Sequence, residues 1–261
     1  MIEPFCHIVS IRFVMYIRAV KTERLDQPQD LCAFIDKFLP LLEEKTIVAI
    51  TSKVVSICEG RTIPKTSVSK EELVKQEADL IIPNPEATDD RIILTYKNHL
   101  LIPSAGIDES NGNGQYILYP KEPFQSVRKI WEHLRQKHDL KDVGVLMTDS
   151  RTTLLRWGVT GVALAWQGFE PTVSYIGKPD LFGQPLRVTK INVADALAVG
   201  AVFSMGESSE CTPLALITEA PHVVFDDKNH NAEELCIEPK EDLYRPLVRG
   251  VIEICKWKKI R

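Results

Sequence analysis

Three short apolar runs limit the architectures open to this chain: Thr46 to Ser52 (TIVAITS), Val143 to Thr148 (VGVLMT) and Leu214 to Thr218 (LALIT). None approaches the roughly 20 apolar residues of a bilayer span. Short, apolar and rich in β-branched residues, they predict strands, the first two of them buried. Segments with helical spacing lie before, between and after them. Gln29 to Glu44 carries Leu31, Phe34, Ile35, Phe38 and Leu42 at i, i+3, i+4 and i+7 intervals, with Asp26 as the expected cap. Phe124 to Lys137 aligns Phe124, Val127, Trp131 and Leu134, and the Ala-rich Val193 to Met205 aligns Ala194, Leu197, Ala201 and Val202, as expected of a tightly packed helix. Glu71 to Ala78 predicts a short helix, Leu243 to Ile254 a closing one, and Arg91 to Tyr96 with His99 to Ile102 a hairpin turning at Lys97-Asn98. Gly161 to Trp166 continues the apolar pattern, and turn signals punctuate Gly177 to Val188. Strands and helices mix without strict βαβ alternation, so the expected fold class is α/β in the mixed, α+β sense.

A chain of 261 residues that is 44% hydrophobic can bury a core large enough to offset its ordering entropy, which excludes a disordered protein. Its net charge of −4 lacks the basic excess of a nucleic-acid binder. The six cysteines form no CxxC pair and the histidines no HExxH, so free thiols in a reducing compartment are expected. Met1 to Ile17 carries Glu3, His7 and Arg12 and lacks a cleavage site, so it is no signal peptide. These features together predict a cytoplasmic protein that engages neither nucleic acid nor membrane.

The densest unusual segment is Ser104 to Asn111 (SAGIDESN), followed by Gly112-Asn-Gly114. It follows a strand pattern, where α/β proteins place ligands, and Asp108 and Glu109 are hard oxygen donors. The same residue types also make ordinary turns. Asp149-Ser150 comes directly after the strand Val143 to Thr148, a position from which a carboxylate holds Mg²⁺ or Mn²⁺ against a nucleotide, or caps a helix. Met205 to Thr212 supplies Glu207. Three acids, Asp108, Asp149 and Glu207, on separate element ends repel one another unless a cation joins them. Lys53 and Arg61 can neutralise phosphate charge or sit on the surface, and Arg151, Arg156 and Trp157 can hold an anionic substrate or cover a sheet edge. Neither GxxxxGK[ST] nor GxGxxG occurs, so a conventional nucleotide fold is not expected.

These segments, taken in order, resemble one family, the coenzyme F420-0:L-glutamate ligases or γ-glutamyl ligases. The matching pieces are TSKVVSICEGR (51–61), SAGIDESN (104–111), GVLMTDS (144–150), WGVTGVALAWQGF (157–169), NVADALAVGAVFSMGE (192–207) and TPLALI (212–217), within roughly residues 18 to 220. The resemblance implies a two-part monomer with mixed sheets flanked by helices, paired as an intertwined homodimer. Nucleotide and two divalent cations, Mg²⁺ or Mn²⁺, would lie between the parts. By motif, Asp108 and Asp149 are implied as the catalytic acids and first-metal ligands, with Ser150 and Glu207 on the second metal. Asn111, Ser52, Lys53, the stretch Thr22, Glu23, Arg24 and Leu25, and Met205, Gly206, Ser208, Ser209 and Thr212 are implied as lining GTP or ATP, with Arg151 and Arg156 as substrate contacts.

The implied reaction is amide formation between L-glutamate and F420-0 through an acyl phosphate. Two departures stand out: Ile57 replaces a family lysine, and Ser150 to Trp157 replaces a TFGRPWR-like stretch. They leave open a pteroate acceptor, as in folate synthesis, or a relative that binds nucleotide without turnover. The three retained acids argue against the latter. Residues 1–14 fall outside the resemblance, with Met15 as the expected natural start, and 15–261 are expected to form one stand-alone ligase domain of two interlocked subdomains.

Overall fold

The computed structural model describes residues 14–82, 93–238 and 240–246. In chain order these form β1 (Tyr16–Val20), α1 (Leu31–Phe38), β2 (Thr46–Thr51), α2 (Ser52–Cys58), β3 (Thr62–Pro64), α3 (Lys70–Glu77) and β4 (Leu80–Ile81). Next come β5 (Leu94–Lys97), β6 (Leu100–Pro103), β7 (Gln115–Ile117), α4 (Pro123–His138), β8 (Val143–Thr152) and β9 (Val159–Gln167). Then follow β10 (Thr172–Ser174), β11 (Lys190–Asn192), α5 (Val193–Met205) and β12 (Leu214–Thr218). The fold is mixed α/β, as expected. The closing helix expected over 243–254 lies largely outside the described residues, as do residues 1–13 of the N-terminal extension.

All three apolar runs enter one five-stranded sheet of order β1-β12-β2-β8-β9, in which β2 and β8 are parallel and the other neighbours antiparallel. Its central strands are covered on both faces, which is why their sequences are apolar without alternation. The strand period of two still sorts the residues. Val48, Ile50, Val145 and Met147 pack under α1 and α4 with Phe34, Ile35, Ile130 and Leu134. Ile47, Ala49, Leu146 and Ala215 face Ala194, Leu197, Ala198 and Ala201 of α5. A smaller core of Leu73, Val74, Ala105, Ile107, Tyr116 and Leu118 joins α3 to the β3–β7 pair and the Ser104 turn. No helix among the described residues is long and apolar enough to cross a membrane.

The structure corrects several expectations. Helix α1 is shorter than Gln29 to Glu44, because Pro40 forces Leu39 out of the helical region, to ψ 134°. Its cap is Asp30, whose carboxylate accepts from the Ala33 amide at 2.7 Å; Asp26 pairs with Arg24 instead. Asp30→Ala is therefore expected to cost about 1 kcal/mol in urea unfolding, and Asp26→Ala less than about 0.5 kcal/mol. The hairpin turns at Asn98-His99, both at positive φ, one residue later than expected. Strand β8 does not end at Thr148. It runs to Thr152 along β9, so Asp149 and Ser150 stand within a ladder, opposite Val162 and Gly161. The polar residues of this extension are paired in a hairpin rather than looped out.

Candidate functional site

The Ser104–Gly106 turn places three successive residues in the left-handed region, with φ of 51°, 54° and 71°. Thr95 Oγ1 accepts from the Ala105 amide at 2.8 Å and donates to the Ile102 carbonyl at 2.7 Å, locking the turn from below. Gly106 is required there for a second reason: a Cβ would lie 2.2 Å from the Tyr119 ring. Beyond the turn, Asp108 and Ile117 exchange two backbone hydrogen bonds of 2.9 Å, which fixes the main chain that carries the Asp108 carboxylate.

Asp108 Oδ2 receives Lys53 Nζ at 2.6 Å, and its Oδ1 accepts from the Ser110 amide at 2.6 Å and hydroxyl at 2.7 Å. Burial works against its charge, but Lys53 and Ser110 together hold its carboxyl below the usual range. Lys53 lies at the first turn of α2, where the apolar faces of Val54 and Val55 anchor the helix to the core. Burial likewise opposes its charge, yet Asp108, Asp149 and Glu207 hold the ammonium above its usual value.

Asp149 follows a register shift between Met147 and Thr148, a local kink that re-aims the strand beside the cavity. Its carboxylate accepts a short hydrogen bond from the Tyr119 hydroxyl. Burial is its dominant influence and pushes its pKa up to about 6, against the pull of Tyr119, the Ser150 amide and Lys53. Ser150 Oγ lies 3.4 Å from Glu207 Oε2. Glu207 comes from the loop after α5, which Gly206 turns at φ 81°. Asn111 Nδ2 donates to the Ser208 carbonyl at 2.9 Å while the Ser208 amide donates to Glu210 at 2.8 Å, so the two peptide groups flanking Ser208 are each held. The Thr22 amide donates to the Cys211 carbonyl at 2.8 Å, bringing the segment after β1 to the same loop.

These elements enclose a cavity of ≈ 460 Å³, in the range of small-molecule sites. Its wall includes Thr22, Glu23, Arg24, Leu25, Lys53, Asn111, Asp149, Ser150, Met205, Gly206, Glu207, Ser208, Ser209 and Thr212, to which the sequence points from five separate segments. Four expected residues are not on the wall. Ser52 is buried behind it. Asp108 reaches it through Lys53. Arg151 turns to Asp195 at 3.4 Å, and Arg156 is exposed in the β8–β9 connection. Glu109 is engaged elsewhere, by Lys65 at 3.3 Å and Lys70 at 2.6 Å. Arg61 pairs with Glu77 at 2.8 Å. Residues that sequence reasoning missed include Tyr119, with no motif of its own, and Glu210, one polar residue among several in a loop. Ile57 also lines the cavity, where the resemblance leads one to expect a lysine.

Carboxylates from Asp108, Asp149 and Glu207 and the Ser150 hydroxyl are the hard oxygen donors that Mg²⁺ or Mn²⁺ favours. One ammonium faces three acids, and Asp149 is held at a raised pKa by its burial first and by the neighbouring Asp108 charge last. The donor set thus fits a divalent cation in charge and type, although no three acids, histidines or cysteines among the described residues already close on one point.

A model of the family described as F420-0:gamma-glutamyl ligase matches residues 19–219, from β1 through β12 and so across every element of the cavity. The chain belongs to that family. A coenzyme F420:L-glutamate ligase of Methanopyrus kandleri is 29% identical over 245 residues, covering 88% of this chain and 97% of that protein. One of Methanococcus maripaludis is 30% identical over 218 residues, covering 78% and 86%. One of Methanosarcina acetivorans is 30% identical over 212 residues, covering 74% and 79%. Membership in the γ-glutamyl ligase family makes the chain an enzyme of the amide-forming ligase class.

Proposed function

We propose that this chain joins L-glutamate to the carboxylate of F420-0 in a nucleotide- and divalent-metal-dependent reaction. The observation that carries the reading is the meeting of Asp149, Ser150 and Glu207 with Lys53, and through Lys53 with Asp108, at one cavity in a chain of this family. An acceptor carboxylate oxygen attacks the γ-phosphorus of GTP or ATP, releasing GDP or ADP and leaving an acyl phosphate. The glutamate amine then attacks the acyl carbon, loses a proton, and inorganic phosphate departs. Two Mg²⁺ or Mn²⁺ ions would offset the charge of a triphosphate facing a carboxylate. Asp108 and Asp149 would hold one, Ser150 and Glu207 the other. The loop Met205–Thr212, clamped by Asn111 and Thr22, would grip the nucleotide, with Lys53 and Arg24 supplying cations that Ile57 does not.

We place the division between two subdomains at this cavity, with the five-stranded sheet on one side and the β3–β7 and β4–β5–β6 sheets on the other. We also read the protein as a cytoplasmic homodimer. Leu155 and Trp157 between β8 and β9, Leu181 and Phe182 between β10 and β11, and Phe203 on α5 are almost fully exposed, apolar surface that a second copy would cover.

The test is phosphate release with L-glutamate, Mg²⁺ or Mn²⁺ and GTP or ATP, offering F420-0 and dihydropteroate as separate acceptors. The expected result is turnover with F420-0, lost in Asp108→Ala. Turnover with dihydropteroate alone would keep the chemistry and replace the acceptor, a possibility that the altered Ser150 to Trp157 stretch makes specific. Phosphate release with neither would overturn the proposal.

A further inference from the structure

Tyr119 lies just beyond β7, 4% exposed, in a chain segment otherwise devoted to packing. Its ring rests directly on Gly106, where no side chain would fit. Its backbone carbonyl accepts from Arg61 Nε at 3.0 Å, and Arg61 is itself held by Glu77 at 2.8 Å. The Leu118 amide donates to the Arg61 carbonyl at 3.0 Å, so the segment is tied on both sides of the residue. The phenol is thus aimed from a fixed mount, and its hydroxyl donates to Asp149 Oδ2. Phenylalanine would fill the same space. A buried phenol retains its hydroxyl only where that group has a partner, and here the partner is a carboxylate on the cavity wall.

We infer that Tyr119 is a positioning residue that fixes the orientation of the Asp149 carboxylate toward a divalent cation. This rests on the metal reading of Asp149 given above. A carboxylate one of whose oxygens is held by a rigid donor cannot rotate freely, so less orientational freedom is lost when an ion binds. Outer partners of this kind typically change metal affinity by 10- to 100-fold. Tyr119 thereby couples the turn at Ser104–Gly106, which also carries Asp108 into place, to the acid on β8, and so sets two of the proposed ligands through one ring.

The test is calorimetric titration of MnCl₂ into the wild type, Tyr119→Phe and Asp149→Asn, with melting temperatures and the apparent KM for Mn²⁺ and for L-glutamate. Tyr119→Phe is expected to bind Mn²⁺ about tenfold more weakly or worse. Its KM for Mn²⁺ should rise in step while its KM for L-glutamate and its melting temperature stay near wild type. Wild-type Mn²⁺ affinity in Tyr119→Phe, with binding lost in Asp149→Asn, would overturn the role of Tyr119 and leave the metal site standing. Wild-type affinity in Asp149→Asn would overturn the metal assignment and this inference with it. Weaker Mn²⁺ binding accompanied by a melting temperature lower by more than about 4 °C, a packing loss in a chain of this size, would make the residue structural and overturn the inference too.

Discussion

Asp149→Asn is expected to lower ligase turnover by roughly a hundredfold or more, the scale on which a lost electrostatic group at a reacting centre is felt, while making the metal-free protein more stable at pH 8. The two effects have one cause. Burial raises the Asp149 pKa to about 6 in the folded chain, against an ordinary value near 3.8 in the unfolded one. The folded state therefore binds this proton more tightly. Its favourable contribution is complete below about pH 4 and is lost as the pH rises through 6. Above that, the folded protein carries an ionised acid that its surroundings disfavour. Asparagine keeps the shape, can still accept from Tyr119, and never ionises. Allowing for the opening of Asp149 to the cavity, the variant should exceed wild type by about 1–2 kcal/mol at pH 8, with the gap closing toward pH 4. Urea unfolding in EDTA at several pH values reads this directly. Equal stability at pH 8 would mean that Asp149 is adequately compensated by Lys53 and Tyr119 alone, and would remove the electrostatic case for a cation there. Saturating Mn²⁺ should reverse the order, because only the carboxylate gains from the ion.

The parts of the molecule legible in the sequence are those where burial leaves one periodicity. Strands β2 and β12 are readable because apolar side chains cover both of their faces, and helix α5 because it begins and ends where its Ala-rich pattern does. Where polar pairing or a long-range partner decides, the sequence is silent. Ser52 to Cys58 is a helix, although Val54, Val55 and Ile57 suit a strand equally well. Strands β3 and β7 exist only because Thr62 meets Ile117 across the chain, and β10 and β11 only because Thr172 meets Asn192. The extension of β8 past Thr148 carries Asp149 from an expected loop into a ladder, which changes how rigidly it is held. For the site, small and polar residues at element ends located the loops at Asp108 and Glu207. They did not show that Lys53 would join Asp108, that Glu109 would turn to Lys65 and Lys70, or that Tyr119 would reach Asp149. Those pairings depend on the tertiary fold, since the partners lie 30 or more residues apart.

Gly161→Val is expected to destabilise the protein by about 3 kcal/mol or more, and Gly161→Ala by about 1–3 kcal/mol. Gly161 stands in β9 opposite Ser150, and α5 crosses it so closely that a Cβ would lie 2.2 Å from the Ala198 carbonyl oxygen and 2.8 Å from the Val199 amide nitrogen. These are backbone atoms of a helix, so relief requires α5 to move as a body. Gly200 on the same helix gives the contrast. A Cβ there meets only the Ile17 Cδ1 atom, at 2.5 Å, the mobile end of a side chain. Gly200→Ala should therefore stay within about 1 kcal/mol of wild type, because the helical preference of alanine opposes a small adjustment of Ile17. Urea unfolding of the three variants measures both. The comparison bears on function, because α5 ends at Met205 and delivers Glu207 and the Ser208 peptide to the cavity. An α5 displaced from β9 should separate Glu207 from Ser150, so Gly161→Ala is also expected to weaken Mn²⁺ binding while Gly200→Ala leaves it unchanged. If Gly161→Ala kept both wild-type stability and wild-type affinity, α5 could shift on the sheet at no cost, and the close packing of its alanine face would not be what holds Glu207 in place.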